Sequence, residues 1–359
     1  RSTRTMIGSE QDTSFVSGDL TVHGTVRVPE VSDALVPGAV IIAGSGPTDR
    51  DGNSAVPGYE SLRFDTHVWL ADVLAEHGVA SLRYDKFGSG TTGAGPFADQ
   101  PDAANDCTFE ELFVQPARDA LAHLAEQAGV NPSRMLFVGH SEGGMVALAA
   151  GVDPHGGVAP SGLVLVEPQY GRIIDILGRQ LRAVLDDTAG IEPADAATLA
   201  EWMDAGLTEI RSSPPPWPQM TTVPLPDADG VTAAIQAQIA SIVFGRLRTR
   251  IGASGDEFDP VVLAARWDHP SSVLITCGTA DFNTPLNPGG PPGSGVDALA
   301  GAFADGVAEL VVIDGMIHEL RDLAGADPRA IGPADIPTLA FSSALHTSLG
   351  EFVDQWATA

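Results

Sequence analysis

The stretch Met135–Ala150, MLFVGHSEGGMVALAA, decides how this sequence folds. It begins as a short apolar run typical of a buried strand and ends as an alanine-rich segment typical of a helix. Between the two lies GHSEG, residues 139–143, with a glycine at each end and Ser141 at the centre. Side chains at the glycine positions would collide with the neighbouring strand and helix. The stretch therefore predicts a strand, a sharp turn that exposes the Ser141 hydroxyl, and a helix.

Short apolar runs and helix-period segments alternate along most of the chain. The buried-strand candidates, which begin at residues 38, 79, 134, 162, 271 and 308, are GAVIIAG, VASLRYD, RMLFVGH, GLVLVEP, SSVLITCG and AELVVID. Segments with helical spacing lie between and after them, which predicts an α/β protein with a mostly parallel sheet flanked by helices. The earlier segment DLTVHGTVRVPE, residues 19–30, alternates apolar and polar residues and predicts an exposed antiparallel strand pair at one edge.

The alternation breaks once, between residues 169 and 266. This part contains helical patterns and a proline-rich segment around Trp217, without a buried-strand pattern. It predicts a helical cap, residues 169–266, inserted between the strands of a core formed by residues 1–168 and 267–359.

The composition predicts a folded protein that avoids polyanions. The 359 residues are 43% hydrophobic and carry a formal net charge of −28 at pH 7, which disfavours nucleic acid as a partner. No run approaches the roughly 20 apolar residues of a membrane-spanning helix. The start of the chain lacks the apolar core of a signal peptide, which favours the cytoplasm and leaves open secretion after removal of a preceding segment. Cys107 and Cys277 are expected to remain thiols, and the oligomeric state stays open.

A nucleophilic serine needs a histidine as base and a carboxylate that orients the histidine. With a G-x-S-x-G turn, the carboxylate and then the histidine are expected after later strands. Asp281 follows the strand SVLITCG, and His318 follows ELVVID. Asp314 is a competing carboxylate, but it is too close to His318 in sequence to orient it from the other side. The residues therefore predict the catalytic set Ser141, Asp281 and His318.

Acyl transfer on a serine also needs N–H donors that stabilise the oxyanion. One donor is expected from the residue after the serine, here Glu142, and one from the loop after the third strand. In that loop the backbone N–H of Ser45 is the first choice and that of Gly46 the alternative.

Two other motifs fail on their context, so neither a metal nor a cofactor is predicted. An EF-hand spacing requires glycine where Ser54 stands, after the potential ligands Asp49, Asp51 and Asn53. The hexapeptide GSGTTG, residues 88–93, matches a dinucleotide-binding pattern, but no helical segment opens at its third glycine.

Three motifs resemble those of bacterial α/β-hydrolase serine esterases, and the resemblance spans essentially the whole chain. They are GSGPTDRDGN at residues 44–53, RYDK at residues 83–86 and GHSEGG at residues 139–144. The resemblance implies an α/β-hydrolase fold, carboxylic-ester hydrolysis by Ser141, Asp281 and His318, and no cofactor. The sequence differs from many relatives in having Ala43 where they have histidine and Phe87 where they have arginine. The charged residues 49–51 are expected to hold the loop in place.

The substrate is less closely defined than the site. A neutral ester or lactone is expected in preference to an acyl-coenzyme A, because the negative charge of the protein repels anions. A local cationic patch of Arg172, Arg179 and Arg182 would reverse this preference. Thioesterase, lactonase and acyltransferase activities with the same residues remain alternatives, followed by a non-catalytic binding protein and a dinucleotide-binding oxidoreductase.

Overall fold

The computed structural model of the protein describes residues 8–29, 34–56, 58–155, 157–187, 190–212, 223–224, 226–269, 272–288 and 294–359. The predicted proline-rich segment with Trp217 lies outside the described residues. The chain forms two compact units.

An eight-stranded sheet, built from described residues, forms the centre of the first unit. Its strands are β1 (Ser9–Ser17), β2 (Leu20–Val28), β3 (Val36–Ile42), β4 (Ala80–Tyr84), β5 (Val130–His140), β6 (Gly162–Val166), β7 (Ser272–Gly278) and β8 (Ala308–Ile313). Their order is β1-β2-β4-β3-β5-β6-β7-β8. β2 pairs antiparallel with β1 and β4, and the other neighbours are parallel. The predicted mostly parallel sheet is confirmed.

The prediction for residues 19–30 was wrong in detail. The segment forms one strand, β2, instead of a strand pair, and most of its side chains are buried. Its partner is β1, whose polar sequence SEQDTSFVS gives a weak strand signal. β2 lies inside the sheet, between β1 and β4, so its alternating pattern did not mark an exposed strand. The buried Arg27 on β2 is balanced by Glu10 at 2.8 Å and by Asp72.

The described residues form α-helices between and after the strands. They are α1 (Thr66–Glu76), α2 (Gln115–Ala125), α3 (Glu142–Val152), α4 (Ile173–Asp187), α5 (Pro193–Ser212), α6 (Gly230–Gln238), α7 (Gly245–Leu247), α8 (Arg250–Gly255), α9 (Pro260–Ala265), α10 (Val296–Ala302) and α11 (Ser343–Thr358). Two π-helical segments precede α2 and α7, at Glu110–Val114 and Ile239–Phe244. In the described part of the chain, short 3-10 helices lie at Gly95–Phe97, Pro101–Asp106, Pro328–Ala330 and Ile336–Thr338. In the first unit, α1 and α11 pack with the sheet around a core that includes Leu70, Val138, Val164 and Leu349.

The second unit is helical and comprises residues 100–112 and 171–259. Its core includes Leu199, Met203 and the edge-to-face pair Trp202 and Phe244, whose ring centroids are 5.1 Å apart. The predicted cap ran from 169 to 266 without residues 100–112. Those residues join the second unit through contacts distant in sequence, such as Phe109 with Phe258 at 5.7 Å between ring centroids.

The turn between β5 and α3 depends on two glycines. A Cβ atom at Gly143 would lie 2.2 Å from the carbonyl oxygen of Ile42 at the end of β3. A Cβ atom at Gly139 would lie 2.3 Å from the carbonyl oxygen of Gly143. Backbone atoms cannot yield as a flexible side chain can, so any larger residue forces β3 and α3 apart.

We expect Gly143→Ala to lower the free energy of unfolding by about 1–3 kcal/mol, because the methyl group overpacks the turn. The matched control is Gly301→Ala on α10, where a Cβ atom would have no neighbour within 4 Å. That control should be as stable as the parent or more stable, since alanine favours helix. Urea unfolding followed by circular dichroism measures both, and equal stability of the two variants would contradict the packing argument.

Candidate active site

Ser141 lies at the strand-to-helix turn in a strained backbone conformation. Its φ is 56° and its ψ is −123°, a combination that residues other than glycine rarely adopt. Hydrogen bonds hold the turn: the Ser141 N–H donates to the Val166 carbonyl at 3.1 Å, and the Gln169 N–H donates to the Ser141 carbonyl at 3.0 Å. The end of β6 therefore fixes the conformation that presents the serine.

Asp281 and His318 meet at the carboxyl ends of β7 and β8. His318 Nδ1 lies 2.7 Å from Asp281 Oδ2. The buried Asp281 is itself held, because its Oδ1 accepts the N–H groups of Asn283 at 2.7 Å and Thr284 at 3.0 Å. The Thr284 hydroxyl lies 2.7 Å from Asp281 Oδ2. With its proton on Nδ1, the imidazole keeps Nε2 available as a base.

The charges of this pair stabilise each other. Burial by itself would raise the pKa of Asp281, but the charge and hydrogen bond of the adjacent His318, together with the hydroxyl of Thr284, hold that pKa well below its usual range. Burial by itself would lower the pKa of His318, but the Asp281 carboxylate has the larger, opposite effect. The pKa of the imidazole is therefore raised. His318 is therefore a stronger base than a solvent-exposed histidine.

The competing carboxylate, Asp314, has a different partner. Its Oδ1 accepts the hydroxyl of Thr279 at 3.0 Å, and that hydroxyl oxygen accepts the N–H of Gly315 at 2.8 Å. Asp314 thus stabilises the turn after β8.

His140, which sequence reasoning did not single out, links the serine turn to the histidine loop. Its Nε2 donates to the His318 carbonyl at 2.8 Å, and the two rings lie 4.9 Å apart between centroids. Burial, with the nearby charge of His318, lowers the pKa of His140 well below its ordinary value, so it is a neutral donor. Within the described residues, no hydrogen bond joins the Ser141 hydroxyl to the His318 ring. The structure thus brings Asp281 and His318 into contact and places Ser141 beside His140.

The loop after β3 carries the predicted oxyanion donors and approaches Ser141 closely. A Cβ atom at Gly44 would lie 3.0 Å from Ser141 Cβ. The N–H of Ser45 has no acceptor among the described residues, and Gly46 has a positive φ of 71°. Glu142 is the first residue of α3, where backbone N–H groups lack partners inside the helix.

The charged residues of this loop form a bonded network. Asp85 Oδ1 accepts the backbone N–H of Arg50 at 2.8 Å, and its Oδ2 accepts the Arg50 guanidinium, also at 2.8 Å. Asp49 Oδ1 accepts the N–H groups of Asp51 and Asn53, each at 2.9 Å. These side chains hold the loop against the segment after β4.

The carboxyl ends of the parallel strands thus carry a serine turn, a carboxylate–histidine pair and a closely packed backbone loop. A sequence profile described as Alpha/beta hydrolase family matches residues 35–336. The chain belongs to the alpha/beta hydrolase family. Membership supports a hydrolase, and the eight-stranded sheet has the architecture that the sequence predicted. No curated protein matches the chain in sequence.

Solved structures share the fold of this hydrolase. The alpha/beta hydrolase GrgF from Penicillium sp. sh18 is similar with a TM-score of 0.54 at 16% identity, over 98% of this chain and 100% of that chain. A hypothetical protein from Pseudomonas aeruginosa has a TM-score of 0.53 at 14% identity, over 98% of this chain and 94% of that chain. Est1E from Butyrivibrio proteoclasticus has a TM-score of 0.50 at 14% identity, over 97% of this chain and 99% of that chain.

The alternative motifs have structural explanations in the described part of the chain. Gly88 donates its N–H to the Gly93 carbonyl at 2.7 Å, and the loop continues into the short 3-10 helix at 95–97 instead of opening an α-helix. Among the described residues, no group of three or more His, Cys, Asp or Glu side chains could hold a metal ion. None of the helices formed by these residues is both long and apolar enough to cross a membrane.

Glu167 is a second buried carboxyl group at this edge of the hydrolase, and sequence reasoning missed it. It directly follows β6, has a positive φ of 47°, and is fully buried. Its Oε2 accepts the Gly278 N–H at 2.8 Å. Burial, reinforced by the negative charge of Asp281, raises the pKa of Glu167 well above its ordinary value. The signal was available in GLVLVEP, where a glutamate ends an otherwise apolar run.

The protonation of Glu167 makes a prediction about stability and pH. Above the pKa of the unfolded chain, about 4.5, Glu167 loses its proton in the unfolded state but keeps it in the folded state. Rising pH therefore stabilises the unfolded chain relative to the folded one. We expect the free energy of unfolding of Glu167→Gln relative to the parent to rise with pH above 4.5, at up to about 1.4 kcal/mol per pH unit, and to level off at the folded pKa. Urea unfolding between pH 4 and 9 measures it. A difference that does not vary with pH would show that Glu167 ionises equally in both states.

Proposed function

We propose that this hydrolase cleaves carboxylic esters through an acyl-enzyme on Ser141. The observation that carries the proposal is the 2.7 Å contact between His318 Nδ1 and the buried Asp281 Oδ2. It holds the imidazole in the tautomer that a general base needs. Ser141 is presented by a strained turn, as a nucleophile would be. The resemblance to bacterial serine esterases, carried by the motifs around residues 44–53 and 139–144, supports the same reaction class.

The proposed reaction has two steps. His318 removes the proton of the Ser141 hydroxyl, and the serine oxygen attacks the ester carbonyl. The N–H groups of Ser45 and Glu142 hold the oxyanion of the tetrahedral intermediate, with Gly46 as the alternative to Ser45. His318 then protonates the departing alcohol, and water repeats the sequence on the acyl-enzyme. Asp281 stabilises the imidazolium in both steps.

The proposed substrate is a small neutral ester or lactone. With a net charge of −28, the protein disfavours an approaching polyanion such as an acyl-coenzyme A. Two arginines that would oppose this field are already paired: Arg172 lies 2.7 Å from Asp256, and Arg182 pairs with Asp204. Their charges are therefore offset locally. We also propose that the helical segment predicted at residues 169–266 serves as the cap domain.

The function is tested by replacing the proposed nucleophile. Ser141→Ala removes the covalent route, so kcat/KM for neutral esters should fall on the order of 10⁴-fold or more while the fold is retained. A panel of p-nitrophenyl esters, lactones and acyl-coenzyme A thioesters measures this, and the neutral esters or lactones are expected to rank first.

A fluorophosphonate probe gives an independent readout. It should label the parent protein and the control Ser343→Ala, which changes an exposed serine on α11, and it should not label Ser141→Ala. Labelling that persists in Ser141→Ala would refute the assignment of the nucleophile. A preference for thioesters that depends on Ser141 would point instead to a thioesterase.

Paired variants distinguish the two candidate carboxylates, Asp281 and Asp314. Asp281→Asn should lower kcat/KM by on the order of 10⁴-fold, because the amide favours the wrong tautomer of His318. It also removes the charge that raises the pKa of His318, so the acidic limb of the pH profile should move to lower pH. Asp314→Asn, which alters only the contact with Thr279, should leave the profile unchanged. The reverse ranking would show that Asp314, and not Asp281, orients His318.

A further inference from the structure

Lys86 is the only lysine in the sequence, and it is buried. It follows β4 and the network residue Asp85, and only 6% of its surface is exposed. Removing an ammonium group from water is costly unless the protein supplies polar partners. The partners of Lys86 therefore indicate what the buried charge does.

The ammonium group of Lys86 contacts both segments that carry the proposed oxyanion donors. Nζ donates a hydrogen bond to the carbonyl oxygen of Gly44. Nζ also lies 3.8 Å from Glu142 Oε1, and the side chains of Lys86 and Glu142 are both buried. The ring of Phe113 lies on another side, with its centroid 5.8 Å from Nζ. One cation thus bridges the loop after β3 and the first residue of α3.

The contact with Gly44 fixes the direction of the next N–H group. A trans peptide is planar, so the Gly44 carbonyl and the Ser45 N–H point in opposite directions. Because Lys86 holds the carbonyl, the Ser45 N–H points away from Lys86. Gly44 itself packs against Ser141: a Cβ atom at Gly44 would lie 3.6 Å from the serine hydroxyl oxygen. The Ser45 N–H, which has no acceptor among the described residues, is held in this orientation beside the nucleophile.

The contact with Glu142 acts on the other donor. The side chain of Glu142 places a carboxylate close to its own backbone N–H, which is proposed to donate a hydrogen bond to the oxyanion. A negative side chain there would oppose a second negative charge developing on the substrate. The Lys86 ammonium offsets that charge, and it also limits how far the carboxylate can move from the helix start.

We infer that Lys86 is the positioning residue of the oxyanion hole: its ammonium group, bound to the Gly44 carbonyl and facing the Glu142 carboxylate, orients the Ser45 N–H and shields the oxyanion from Glu142. This inference rests on the proposed function. Lys86 acts through the peptide and the carboxylate, without touching the substrate. Its contribution therefore belongs to the transition state and not to substrate binding.

The test compares Lys86→Met with Arg118→Met. Arg118 is also a buried cation that donates to a backbone carbonyl, that of Asp153 at 2.6 Å, but it lies on α2 away from the proposed oxyanion hole. Both variants lose a buried charge, so a lowered stability is common to both. Activities are measured per folded protein, with a neutral p-nitrophenyl ester as substrate and a trifluoromethyl ketone as a mimic of the tetrahedral intermediate.

For Lys86→Met we expect kcat to fall about 100-fold with KM little changed, and the affinity for the trifluoromethyl ketone to fall in parallel. Arg118→Met should keep both quantities near those of the parent. Unchanged kcat and ketone affinity in Lys86→Met, or equal losses in both variants, would overturn the inference.

Lys86→Arg decides the question if Lys86→Met does not fold. It keeps the buried charge but moves the donor, so a smaller parallel loss of kcat and ketone affinity is expected. Unchanged values in that variant would overturn the inference. Failure of the proposed function has a different signature, because the parent protein would then show no ester hydrolysis that depends on Ser141.

Discussion

The close approach of backbone to backbone at the turn after β5 determines the rest of the site. Space for Cβ atoms is absent at Gly139 and Gly143, where the nearest carbonyl oxygens would lie 2.3 Å and 2.2 Å away. This contact brings the start of α3 against the end of β3. The loop after β3 therefore lies close to Ser141. The strain at Ser141, with a φ of 56°, follows from the same approach, since the chain must reverse within one residue.

Around this turn, the ionisable groups are arranged as balanced pairs. Asp281 contacts His318, and Lys86 contacts Glu142. His140 is kept neutral and donates to the His318 backbone, which joins the His318 loop to the serine turn without adding charge. Buried ions without partners would cost several kcal/mol each. The pairing explains how a strongly acidic protein can bury so many ionisable groups at one sheet edge.

Much of this arrangement could be predicted from the sequence because it is encoded locally. The apolar run before Gly139 and the helical run after Gly143 define the turn by themselves, and the strand ends before Asp281 and His318 place those residues at the same edge. β1 was missed because its polar strand is defined by pairing with β2, which a local pattern does not report. The roles of His140 and Lys86 depend on which distant carbonyl each one reaches, and no spacing in the sequence encodes those contacts.

The protonated state of Glu167 matters for the proposed reaction because it limits the basicity of His318. A general base works best when its pKa lies near the working pH, since it must accept a proton and then return it to the leaving group. The Asp281 carboxylate already raises the pKa of His318. An ionised Glu167 would bring a second negative charge to the Asp281 loop and raise that pKa further, which would hold the proton on the imidazole. Burial raises the pKa of Glu167 and so favours its neutral form, in which the carboxyl group accepts the Gly278 N–H without adding to the negative charge that acts on His318.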